Sequence, residues 1–185
     1  MWARHPIAYH NPALEDRDMT LRPFPQLVAI AALTAMAVGA APARAADVLP
    51  THRLSAALAT DLALAAIAAC EKMTYAITAT VIDADGVPIA LIRGDGAGIH
   101  TVQTAQDKAF TAVSYGRPGS ATADIYVKNP PQGVMLKEPH ILPGDGGLPI
   151  RIGNEIVGAL GISGSPGKDE VCGNAALDTV RARLK

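Results

Sequence analysis

Gly146-Gly147-Leu148-Pro149-Ile150-Arg151-Ile152-Gly153-Asn154-Glu155-Ile156-Val157-Gly158-Ala159-Leu160-Gly161-Ile162-Ser163-Gly164, followed shortly by Asp169-Glu170-Val171-Cys172, is the stretch that decides the fold. Two apolar runs, residues 149–152 and 155–163, meet at Gly153-Asn154 and read as a β-hairpin. The glycines inside the longer run stand where strands ordinarily carry branched side chains. They mark tight turns or the close approach of another backbone. Asp169 and Glu170 fall in the first turn of a final helix that ends in Arg181, Arg183 and Lys185, the charge order a helix dipole favours.

Upstream, the periods change in a regular order. Leu54, Leu58, Leu62, Ala65 and Ala69 recur at helical spacing behind the capping candidates Thr51 and Ser55. Residues 76–83 alternate as a strand, Asp83-Ala84-Asp85-Gly86 has turn chemistry, and residues 87–93 return as its hairpin partner. After the glycine-broken loop Gly94-Asp95-Gly96-Ala97-Gly98 comes a second helix with Val102, Ala105, Ala109 and Ala112 on its apolar side. His100, Thr104, Lys108, Thr111 and Tyr115 fall along another face of it, either lining a site or simply solvated. A short helix over residues 120–128 and a Pro/Gly-rich segment, residues 129–147, lead into the hairpin. Helix, hairpin, helices, hairpin, helix implies the α/β (α+β) class, with one antiparallel sheet flanked by helices.

Composition narrows the function. The 185 residues are 49% hydrophobic but 4% aromatic, with a formal net charge of −1, which suits one domain with a core of small side chains. No basic excess exists to neutralise phosphates, so no nucleic-acid partner is expected. Residues 27–41 form an apolar run between Arg22 and Ala43-Arg44-Ala45, an A-x-A cleavage signature. Residues 1–45 therefore read as an upstream segment plus a secretory signal peptide, and residues 46–185 as the mature domain. Residues 1–18 carry acids where a basic region belongs, so Met19 is the expected start; an uncleaved N-terminal anchor is the alternative. No second apolar stretch reaches spanning length, and a periplasmic or secreted location follows.

Export exposes Cys70 and Cys172 to an oxidising compartment, where they are candidates for one disulfide; two buried thiols are the alternative. If the first and last long strands are antiparallel neighbours, the first helix ends where the last begins, bringing the two cysteines together. The absence of CxxC and CxxCH leaves no sign of a thioredoxin-type site or covalent haem attachment. The run Gly161-Ile162-Ser163-Gly164-Ser165 lacks the fifth-place glycine of a nucleophile elbow, and no phosphate-loop or zinc-ligand spacing occurs.

Five blocks in order carry a family resemblance. They are Val81-Ile82-Asp83-Ala84-Asp85-Gly86, Arg93-Gly94-Asp95-Gly96-Ala97, residues 105–112 (AQDKAFTA), Gly146-Gly147-Leu148-Pro149-Ile150, and residues 158–164 followed by Asp169. Together they resemble the GlcG/HbpS-like haem-binding (haem-degrading domain) family. The resemblance implies a profilin-like or PAS-like sheet of about five strands, a homo-oligomer, and haem as a non-covalent cofactor. Haem iron takes a His, Tyr, Met, Cys or other oxygen ligand, and its propionates take cations. His100, His140 and Tyr115 are thus the candidate axial donors, with His100 and His140 the candidate iron-binding histidines. Thr111 matches the threonine of the family's Lys-Ala-x-Thr-Ala block, and a threonine is implicated as a ligand in haem-binding members. Arg93 and Lys108 are candidates for propionate pairing. The Glu-x-x-Glu iron site of the first helix in one haem-binding member has no counterpart between Asp61 and Cys70.

The expected function is haem sequestration, delivery or slow degradation, with a sensor or transporter as a possible partner. Two other readings stay open: a small-metabolite enzyme using Lys108 and Thr111, and a sensory or structural oligomeric module.

Overall fold

The structure, a computed structural model, describes residues 49–185. The expected signal segment and start site lie outside these residues. No helix among the described residues is long and apolar enough to cross a membrane.

Helix α1 (Ala56–Glu71) starts at Ser55, whose hydroxyl accepts the Leu58 amide at 3.2 Å. Strands β1 (Thr78–Asp83) and β2 (Pro88–Arg93) form the first hairpin. Its turn is held by Asp83, whose Oδ1 accepts the amides of Asp85 and Val87, and Gly86 supplies the required φ of 83°. Helices α2 (His100–Tyr115) and α3 (Gly119–Lys128) follow. The long Pro/Gly-rich segment then carries a 3-10 run, Pro130–Lys137, that the sequence pattern does not signal. Strands β3 (Gly147–Ile152) and β4 (Glu155–Ser163) make the second hairpin, and α4 (Asp169–Val180) with a short 3-10 turn closes the chain.

The strands order β2-β1-β4-β3, all antiparallel, with Thr78 opposite Ser163 and Asp83 opposite Gly158. The sheet has four strands among the described residues, one short of the rounded expectation, in the expected architecture. Helices α1 and α4 cover one face, where Leu62, Ala66, Ala79, Val81, Leu160 and Ile162 form the main core. On the other face α2 lies against the sheet through Ala109 and Ala112 on Ile82 and Ala159.

Gly161 explains that second face. A Cβ there would collide with the Ala105 carbonyl and the Ala109 side chain, so the missing side chain lets the α2 backbone rest on the sheet. As the neighbouring strands require, α1 ends beside the start of α4. Cys70 and Cys172 form a disulfide with both residues fully buried.

Candidate functional site

The first half of α2, residues 142–145 and the turn after β4 enclose an open cleft of about 460 Å³. From α2 it receives His100, Thr104 and Lys108, three residues of the polar stripe. The Lys108 ammonium donates to Asp169 Oδ2 at 2.7 Å and to the Ile162 carbonyl at 3.2 Å. Both side chains of this pair are withdrawn from water, at 14% and 4% exposure. Such a pair is tolerated only when its remaining hydrogen-bonding groups are satisfied. Asp169 meets that condition, since its Oδ1 accepts the Ser165 amide at 2.8 Å and the Ser165 hydroxyl at 2.6 Å. Lys108 has three N–H donors and two protein acceptors, which leaves one donor for the cleft.

The rest of the cleft wall is equally tied down. Thr104 Oγ1 lies 2.7 Å from Ser163 Oγ, placing two hydroxyls beside Lys108. The Asp145 carboxylate accepts the amides of Asp169 and Glu170, both at 2.9 Å, and so caps α4 from a distant loop. Glu170 turns away and accepts the Ser120 amide and hydroxyl at the start of α3. The His100 ring rests over Gly98, where a Cβ would touch it, and its nitrogens make no hydrogen bond among the described residues.

The other expected site residues do not join His100 and Lys108 on this cleft. Thr111 has no exposure; its hydroxyl donates to the Asp107 carbonyl at 2.8 Å and accepts the Leu142 amide at 2.7 Å, fastening the long segment to α2. His140 sits at a φ of 66°, with Nδ1 2.9 Å from Asp107 Oδ1 and its ring edge-on to Phe110. It lines a different cavity of about 200 Å³. The Tyr115 hydroxyl bonds that of Tyr126. Burial and that bond push the Tyr126 phenol up to about 12. Arg93 donates to the Ala97 carbonyl at 2.7 Å and does not line the cleft.

At the opposite end of the sheet a hollow of about 470 Å³ contains His52, Arg53, Asp85 and Glu155. Its histidine is engaged: His52 Nδ1 lies 2.6 Å from Glu155 Oε2, and the His52 amide donates to Oε1. No group of three metal-ligating side chains exists among the described residues. Sequence reasoning did not find Asp145, Ser165 or Asp107, because their roles arise between segments far apart in the chain.

The protein is thus a four-stranded antiparallel sheet, ordered β2-β1-β4-β3, between helices, with its cleft on the α2 side. The chain belongs to the HbpS-like family of haem-degrading proteins, whose model matches residues 54–178. The crystal structure of HbpS superposes with a TM-score of 0.67 at 31% identity, covering 76% of this chain and 99% of that one. Klebsiella pneumoniae ORFY gives a TM-score of 0.68 at 23% identity, over 74% of this chain and 96% of its own. A haem complex of PduOC gives 0.62 at 22% identity, over 69% and 94%. These last two likenesses concern the fold. No curated protein matches the chain.

Proposed function

We propose that this chain is an exported protein that binds haem non-covalently in the cleft between α2 and the turn after β4, for sequestration, delivery or slow degradation. Family membership supports the ligand, and the haem complex of PduOC is a solved precedent on the same fold. The observation that carries the reading is the convergence of an unpaired imidazole, His100, and a partly engaged ammonium, Lys108, on one cleft.

The donor set fits the group. His100 would ligate the iron, Lys108 would meet a propionate, and Ala76, Leu142, Pro143 and Pro166 would offer apolar wall to the macrocycle. The iron supplies any redox chemistry when haem is bound. The chain's own residues bind and orient: Asp169 holds Lys108, and Asp145 holds the turn that carries Asp169.

The enzyme reading that joined Lys108 to Thr111 draws less support, since the Thr111 hydroxyl is enclosed between Asp107 and Leu142. Exposed apolar side chains on α3 and the 3-10 run after it, Val127, Val134, Met135 and Leu136, suit the expected homo-oligomer.

Haem titration tests the proposal. A Soret band should grow in and be lost or shifted in His100→Ala, while His140→Ala should leave it in place. No spectral change at micromolar haem would refute it. N-terminal sequencing of the exported protein tests cleavage near Ala46.

A further inference from the structure

We infer that the Cys70–Cys172 disulfide regulates the cleft through Ser165 and Asp169, so that its reduction withdraws the Lys108 ammonium and weakens the hold on an anionic ligand. The ligand arm of this inference rests on the haem reading above; the Lys108 arm does not.

Three contacts in series connect the bridge to the cleft. Ser165 Oγ lies 3.2 Å from Cys70 Sγ and 3.8 Å from Cys172 Sγ, and all three residues have no solvent exposure. The same Oγ donates to Asp169 Oδ1 at 2.6 Å. The other oxygen of Asp169 holds Lys108 at 2.7 Å, and Lys108 lines the cleft. The bridge therefore stands two side chains away from the cation offered to a ligand.

Bridged sulfurs carry no proton, so the single Ser165 hydroxyl proton goes to Asp169. A dithiol reductant changes that arrangement. The S–S bond breaks, each sulfur gains one electron and one proton, and the dithiol closes to its own disulfide. The sulfurs then separate to non-bonded contact and become S–H donors within a closely packed interior. Ser165 is their nearest polar neighbour and can accept from either.

Ser165 stands in a turn between two glycines. Gly164 and Gly167 flank it at φ values of 131° and 72°, and Pro166 and Gly167 are exposed. As the Ser165 hydroxyl turns to the separated sulfurs, buried Asp169 loses that donor and keeps the Ser165 amide and Lys108, of which only Lys108 has a further N–H to give. Lys108 is drawn toward Asp169, and its third N–H leaves the cleft. A carrier loaded in an oxidising compartment would release its anionic ligand on meeting a dithiol.

The experiment uses protein labelled with 15N-lysine, with the Lys108 Nζ resonance assigned by its loss in Lys108→Arg. Oxidised and dithiothreitol-reduced forms are compared, with thiol counting to verify reduction. The Nζ resonance should shift on reduction, and Cys70→Ser/Cys172→Ser should show the reduced position. Ser165→Ala should abolish the redox-dependent difference. Should Ser165→Ala fail to fold, the double cysteine variant still decides. An Nζ resonance unchanged by reduction, or by the double substitution, overturns the inference, as does a redox shift that persists in Ser165→Ala.

Haem affinity should weaken by about ten- to a hundredfold on reduction, the scale of one charge-assisted hydrogen bond. If Nζ shifts but neither form binds haem, the coupling stands and the haem reading falls. If haem binds both forms equally and Nζ is unmoved, the coupling falls alone.

Discussion

Thr111 accepts the backbone N–H of Leu142 at 2.7 Å from a position with no solvent exposure, across 31 residues of chain. The contact orders the segment that roofs the cleft. Thr111→Val keeps the shape of the side chain and deletes the acceptor, leaving the Leu142 amide without its partner. The expected loss is about 1–3 kcal/mol of unfolding free energy. Urea unfolding measures it, and amide hydrogen exchange should quicken at Leu142 ahead of the sheet.

Glu155 gives the domain an acid-side sensitivity. Hydrogen bonds from the His52 side chain and then the His52 amide hold its carboxyl below the usual range, so the folded state keeps the charged form to lower pH than the unfolded chain does. The stabilisation is complete above the ordinary value of about 4.5 and is lost as pH falls through the lowered folded value. Glu155→Gln removes the charged acceptor. Its thermal midpoint should lie below that of the parent protein near neutral pH, and the gap should close on acidification. A gap independent of pH would refute the assignment.

Tyr126 acts with the opposite sign at the alkaline end. Burial first, and the bond to Tyr115 second, raise its phenol from 10.0 to about 12. The folded state thus retains a proton that the unfolded chain releases. Its stabilisation is intact below about 10 and is lost as pH rises through about 12. Phenolate absorbance should show one tyrosine titrating late, and Tyr126→Phe should remove that late step.

The legible parts of this fold were local. Ser55 caps its own helix and Asp83 folds its own turn, and both work within four residues. The pairing of β1 with β4 entered the sequence reading as a supposition that the sheet bears out, and the meeting of Cys70 with Cys172 followed from it. The site was less legible because periodicity names a helix face without naming what covers it. His100 and Asp107 share a face of α2, yet the segment carrying His140 and Leu142 lies on that face and divides it between two cavities. The acidic pair does lie in the first turn of α4, as its spacing predicts. What spacing does not show is that Asp145 caps that helix, that Glu170 reaches the start of α3, and that Asp169 faces inward to Ser165 and Lys108. Each of those carboxylates could be assigned only once distant segments were in place.

Gly161 offers a direct test of why the glycine-bearing strand decides the architecture. It sits in the middle of β4, paired with Thr80 of β1 and Gly147 of β3, so its backbone cannot retreat without disturbing two neighbours. On its α2 side the Ala105 carbonyl and the Ala109 side chain already fill the space a methyl would need. Gly161→Ala must therefore push α2 off the sheet, an overpacking cost of about 1–3 kcal/mol or more. Because α2 carries His100 and Lys108, the same displacement should alter the cleft, so a fall in thermal midpoint and a change in the haem titration should appear together. Gly133→Ala is the control, since a Cβ there meets nothing within 4 Å and the residue has no left-handed φ. It should leave both measurements where they are. A Gly161→Ala protein as stable as the parent would mean that α2 does not rest on β4 as closely as the fold requires.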